Sequence, residues 1–127
     1  MLKDQQVTAV LPAADLARAR DFYRDKLGLE PENPDAADNL RYKCGSATGF
    51  LLYQTSNAGS AKNTQMGWVV NDLAAMVAEL RGKGITFEEY DFPGLKTEGG
   101  IAVDPDGSRA AWFLDTEGNI LSLLQEP

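Results

Sequence analysis

Histidine is absent from this chain of 127 residues. The commonest general base and the usual imidazole ligand of transition metals are therefore both missing. Ser-His and Cys-His nucleophilic mechanisms fall with them. Proton transfer would have to come from Tyr53, Tyr90, the lone Cys44, or carboxylates such as Asp104, Asp115 and Glu117. Nothing in the surrounding residues marks any of these as activated. Cys44 reads as a small buried apolar side chain, and with no second cysteine an intrachain disulfide is impossible. The three carboxylates fall in Asp104-Pro105-Asp106-Gly107 and Asp115-Thr116-Glu117-Gly118, which are turn sequences. They read there as solvated surface or Asx-turn groups.

The elements that would hold these residues come in two copies. Asp15 to Gly28 reads DLARARDFYRDKLG, and Asp72 to Gly84 reads DLAAMVAELRGKG. Aligning Asp15 with Asp72 places Leu16 on Leu73, Ala19 on Met76, Tyr23 on Leu80, Arg24 on Arg81 and Lys26 on Lys83. Each copy has an apolar helical stripe. Each opens on an aspartate suited to N-capping and closes near a glycine. Strand-like runs precede the helices at Gln6–Leu11 and Met66–Val70. Others follow at Leu29–Glu32, Leu40–Cys44 and Phe50–Gln54, then at Ile85–Tyr90, about Thr97–Val103, Ser108–Leu114 and Asn119–Gln125. Each half is thus expected to be β-α-β-β-β. The expected class is α+β, with two βαβββ modules forming an open, curled mixed sheet. Residues 1–127 would be one domain, 5–55 its first module, 56–63 a polar connector and 64–127 the second. Tyr90, Phe92, Pro93, Gly94, Gly99 and Gly100 read as a mobile loop able to cover a ligand, or as plain surface.

Composition narrows the function classes. The chain is 43% hydrophobic and 24% charged, which suits a folded domain. Its net charge of −7 repels phosphate backbones and attracts cations, so no nucleic-acid partner is expected. No apolar run is long enough to span a bilayer, and no signal peptide is evident, so a cytoplasmic protein is expected.

The stretch from Val7 to Leu29, with Asp15-Leu16, Arg18-Ala19, Phe22-Tyr23 and Leu27-Gly28-Leu29, resembles the opening module of the vicinal oxygen chelate superfamily. This is the group of glyoxalases, bleomycin resistance proteins and extradiol dioxygenases. Asp115-Thr116-Glu117-Gly118-Asn119-Ile120-Leu121-Ser122-Leu123 is similar to its closing D-P-x-G-N-x-x-E-L phrase. The resemblance covers Val7 to Gln125 and implies a homodimer. It also implies a divalent metal held by four side chains, at positions that correspond here to Thr8, Leu51, Gln65 and Ser122. Those residues offer two hydroxyls, an amide and a hydrocarbon, too weak a donor set to strip water from a dication. Neither a metal nor another cofactor is expected.

What remains is a trough with Thr8, Gln65 and Ser122 as polar points and Leu51, Tyr53 and Trp112 as apolar wall. Strand alternation sends Trp68 to the helix-covered core and separates Trp112 from Phe113. The foremost expectation is a metal-independent small-molecule binder of the glyoxalase/bleomycin-resistance type, its ligand cationic or aromatic. A glyoxalase- or dioxygenase-like lyase or isomerase with an atypical site is the alternative. A non-catalytic interaction module is the third.

Overall fold

A computed structural model describes all residues, 1–127. Strand β1 (Ala9–Ala13) leads into helix α1 (Leu16–Asp25), followed by β2 (Asn39–Cys44) and β3 (Thr48–Gln54). Strand β4 (Met66–Val69) leads into α2 (Leu73–Gly82), then β5 (Asp91–Phe92), β6 (Leu95–Glu98), β7 (Ile101–Val103), β8 (Arg109–Leu114) and β9 (Ile120–Gln125). The first half forms a sheet of order β1-β3-β2, and the second a sheet of order β4-β9-β8-β7-β6-β5. In each, the strand before the helix pairs in parallel with the last strand, β1 with β3 and β4 with β9, while the other pairings are antiparallel.

The repeat is physical as well as textual. Asp15 accepts from the N–H of Arg18 at 3.0 Å, and Asp72 from that of Ala75 at 3.1 Å. Each carboxylate thereby satisfies one of the donors that a helix start leaves unpaired. The closing glutamine of each half does the same from the neighbouring strand. Gln54 accepts from Leu16 N–H at 3.0 Å, and Gln125 from Leu73 N–H at 2.8 Å. The equivalence of Gln54 and Gln125 sets the register of β3 against β9, so Leu51 beside Val10 corresponds to Ser122 beside Gly67.

Three of the expected strands differ, one of them, about Thr97–Val103, because a turn at Gly99–Gly100 breaks it in two. Leu29–Glu32 is not a strand and keeps one main-chain bond to β2, from Glu32 N–H to Arg41 O at 2.7 Å. Pro31 has no N–H to continue a ladder. Ile85–Tyr90 is extended but makes only a single bridge, Phe87 to Phe113. The stretch from Tyr90 to Gly100 is not an irregular loop either. It folds into the paired strands β5 and β6, and β7 continues the sheet. Gly99 and Gly100 both have positive φ, at 59° and 80°, and form the two-residue turn that joins β6 to β7.

One hydrophobic core serves both halves. Leu11, Ala13, Leu16, Ala19 and Tyr23 share it with Leu73, Val77, Leu80, Phe113 and Leu121. Phe50 of β3 meets Trp68 of β4 edge-on at 6.2 Å. The halves therefore join through their helix-covered sides, and each sheet keeps one uncovered face.

Candidate functional site

The uncovered faces follow from strand alternation. In the first half, Leu40, Tyr42, Phe50 and Leu52 point into the core, leaving Val10, Leu51 and Arg41 as one row on the other side. In the second, Leu121, Leu123, Ala111 and Phe113 are buried, leaving Gly67, Ser122 and Trp112 as a row. Trp68 packs against the core, as alternation predicts.

The six residues singled out from the sequence do not converge within one chain. Thr8 and Leu51 line a groove of about 700 Å³ whose other lining residues all belong to the first half. The Thr8 hydroxyl donates to Gly49 O at 3.3 Å. Tyr53 lies on the same face, two residues beyond Leu51, and is 40% exposed. Ser122 and Trp112 are cross-strand neighbours on the second sheet. Because the halves share a core through their covered sides, these faces do not close on one another.

Gln65 takes a different part. Its Nε2 donates to Asn119 Oδ1 at 2.9 Å, and its Oε1 accepts from Ile120 N–H at 2.9 Å, so both ends of the amide are engaged. These two bonds fix the orientation of the amide and leave one N–H and one oxygen lone pair for any further partner.

The second face carries an aromatic corner that sequence alone left as loop. Tyr90 packs edge-on against Trp112 at 5.5 Å and lies 5.6 Å from Phe92. Its phenol is raised above its ordinary range by burial and by Glu88, so it is held neutral rather than primed as a base. Beside Trp112 the floor is bare. A Cβ on Gly67 would stand 2.2 Å from the Ser122 hydroxyl, so only glycine leaves that hydroxyl its place. The period-two pattern of β8 pointed to Trp112, but the approach of Tyr90 and Phe92 needs the β5–β6 hairpin, whose turn signal Pro93-Gly94 was read as loop.

A metal does not fit the quartet Thr8, Leu51, Gln65 and Ser122. It contains no carboxylate, thiolate or imidazole, Leu51 offers no donor atom, and the Gln65 oxygen is committed to a main-chain N–H. No group of three or more Asp, Glu, Cys or His residues elsewhere is arranged to hold one.

The turn after β8 corrects another expectation. Asp115 and Glu117 are buried at 7% and 4% exposure, not solvated, although Asp115 does form the Asx turn by accepting from Glu117 N–H at 2.8 Å. Asp115 also takes the Tyr23 hydroxyl at 2.7 Å. Asn119 donates to Pro12 O at 2.9 Å. Glu117 binds the Arg18 guanidinium through both oxygens, at 2.9 and 3.0 Å, and accepts Asp15 N–H at 2.9 Å. The closing phrase of the chain is thus a polar latch that ties the second half to α1 and β1.

The latch has a pH signature. Burial pushes the Glu117 carboxyl up, but Arg18, Asp15 N–H and the Thr116 hydroxyl outweigh it and hold the group at about 2, against an ordinary 4.5. A carboxyl depressed by folding stabilises fully above its ordinary value, and that contribution disappears as pH falls towards 2. Discounted for the half-exposed Arg18, the loss should be roughly 2 kcal/mol. Urea titrations between pH 5 and pH 2 should show it, and Glu117→Gln should flatten that part of the profile.

No family model matches the sequence, and no curated protein does. Solved structures do match. A lactoylglutathione lyase from Agrobacterium tumefaciens aligns at TM-score 0.69 and 21% identity, over 98% of this chain and 96% of that one. An antibiotic binding protein from a Streptomyces species aligns at TM-score 0.68 and 21% identity, over 100% and 99%. A glyoxalase/bleomycin resistance protein/dioxygenase superfamily member from Sphaerobacter thermophilus aligns at 0.69 and 22%, over 99% and 100%. Full-length agreement with these structures, together with the repeated parallel pairing of first and last strands, gives this chain the fold of the glyoxalase/bleomycin resistance/dioxygenase superfamily.

Proposed function

We propose that this protein is a metal-independent small-molecule binding protein of the glyoxalase/bleomycin-resistance type, acting as a homodimer whose ligand lies between uncovered sheet faces of two chains. Residues 1–127 act as one domain in this scheme, with 5–55 and 64–127 as its halves and 56–63 as connector. The observation that carries the proposal is the corner of Tyr90, Phe92 and Trp112 beside the bare Gly67–Ser122 floor. An open aromatic corner offers stacking surface and cation–π attraction, while Ser122 supplies one orienting hydroxyl. The net charge of −7 draws a cation towards it. An aromatic or cationic ligand matches both features. The structural similarity to an antibiotic binding protein supports a binding role. The similarity to a lyase speaks for the enzymatic alternative, but that scheme lacks metal donors on these faces and has a tyrosine held neutral where a base would be needed.

Thermal shift with cationic polycyclic aromatics, ethidium among them, tests the proposal. A ligand at a hundred times its Kd should add about 2.7 kcal/mol and raise Tm by several degrees. Trp112→Ala should weaken binding roughly 10- to 100-fold, as expected for an aromatic wall worth about 1.5–3 kcal/mol. A chelator should change nothing. Binding that disappears with chelation would overturn the metal-independent assignment.

A further inference from the structure

A second cavity lies on the opposite, helix-covered side of the molecule. It is a half-open pocket of about 340 Å³ where the end of β2, strand β4, helix α2 and the segment after α1 meet. Leu27, Leu29, Cys44, Trp68, Met76 and Leu80 line it, drawn from both halves. All but Leu80 pack against the core yet remain partly open, whereas the core itself is exposed by no more than 7%. Its cause is visible in the repeat. After α2, the chain buries Ile85 and Phe87 and bridges to β8, closing the second half. After α1, the corresponding stretch makes no strand, and Leu29 is left beside a gap.

We propose that this cavity is a binding site for an uncharged, largely apolar small molecule, separate from the aromatic corner of Tyr90, Phe92 and Trp112. Its volume is at the low end of ligand pockets, which run from roughly 300 to 1,000 Å³. The chemistry of its walls selects the class. Lys43 borders the cavity but alternates to the opposite face of β2 from Cys44, so no lining side chain offers a charge to the interior. A charged ligand would lose its hydration without compensation, whereas an apolar one removes aliphatic and indole surface from water. Trp68 and Cys44, the latter partly accessible, are built-in reporters.

The neutral fluorophore N-phenyl-1-naphthylamine is the probe, used on the full chain. In the Trp112→Phe variant Trp68 is the sole tryptophan. Excitation of Trp68 should then sensitise the bound probe, with saturation at one probe per chain. In the natural chain the probe should slow alkylation of Cys44 by iodoacetamide several-fold. Met76→Phe together with Leu29→Phe, which fills the cavity, should weaken the probe by at least about tenfold. It should leave ethidium binding unchanged, so this site and the aromatic corner fail independently. The proposal is overturned if the probe does not saturate, if Cys44 reacts at the same rate with probe present, or if the sulfonated analogue 8-anilinonaphthalene-1-sulfonate binds as tightly. Should the filled variant not fold, Cys44 protection in the natural chain decides the matter.

Discussion

Replacing Asp115 by alanine should cost about 3–5 kcal/mol of folding stability, as expected when several buried donors lose one shared acceptor. The Asp115 carboxylate accepts from Tyr23 Oη, Glu117 N–H, Asn119 N–H and Asn119 Nδ2, at 2.7 to 2.9 Å. Alanine leaves those donors without their acceptor in a site that water barely reaches. Asn119 also loses the partner that orients it, and with it the contacts to Pro12 and Gln65 weaken. Tyr23→Phe offers a graded comparison. It deletes one donor and leaves the rest of the carboxylate's bonds intact, so it should cost less, about 1.5–3 kcal/mol. Tyr23 is held far above its ordinary ionisation range by burial and by Asp115, so it stays a neutral donor throughout. Equilibrium urea denaturation of both variants at pH 7 is the measurement. A loss below 1 kcal/mol for Asp115→Ala would show that the latch does not hold the halves together.

Leu124→Glu should disrupt the proposed dimer and reduce ligand affinity by at least about 100-fold, since each pocket is proposed to need two chains. Leu124 lies in a row with Val69 and Ala110 on the uncovered face of the second sheet. Leu124 and Val69 are 39% and 65% exposed, and Leu114 on the same face is 44% exposed. The uncovered face of the first sheet presents Val10 and Tyr53, at 52% and 40%. Apolar side chains on the uncovered faces of both sheets suit association with a second copy, and a stable dimer needs about 800 Å² per partner. A carboxylate placed within that contact would be desolvated without a partner. Because Leu124 is on the surface of the single chain, the variant should keep its fold, which circular dichroism can check. Sedimentation equilibrium reads the assembly and thermal shift reads the ligand. A natural chain that sediments as a monomer while binding ligand would overturn the two-chain pocket.

Local patterning carried much of the architecture. Asp15 and Asp72 mark helix starts because a short carboxylate reaches unpaired N–H groups only there, and both helices begin at the next residue. Apolar alternation placed Trp68 inward and split Trp112 from Phe113, since side chains in a strand can only alternate. In two other stretches the pattern was misread. Leu29–Glu32 follows the first helix where the repeat calls for a strand, but Glu30, Pro31 and Glu32 all disfavour one. Tyr90–Gly100 has loop composition, yet it is paired because tight glycine turns bring its strands together.

The amino-acid sequence by itself determined the twofold repeat, the fold class and the lack of strong metal donors at the four positions, because each depends on residue type and spacing alone. Tertiary structure decided where those positions go. It engaged Gln65 in the latch, buried Asp115 and Glu117 against α1, brought Tyr90 and Phe92 to Trp112, and left Thr8 and Leu51 on a different face from Ser122. Those outcomes depend on which sides of the two sheets pack together, and burial across a shared core is a property of surfaces far apart in the chain.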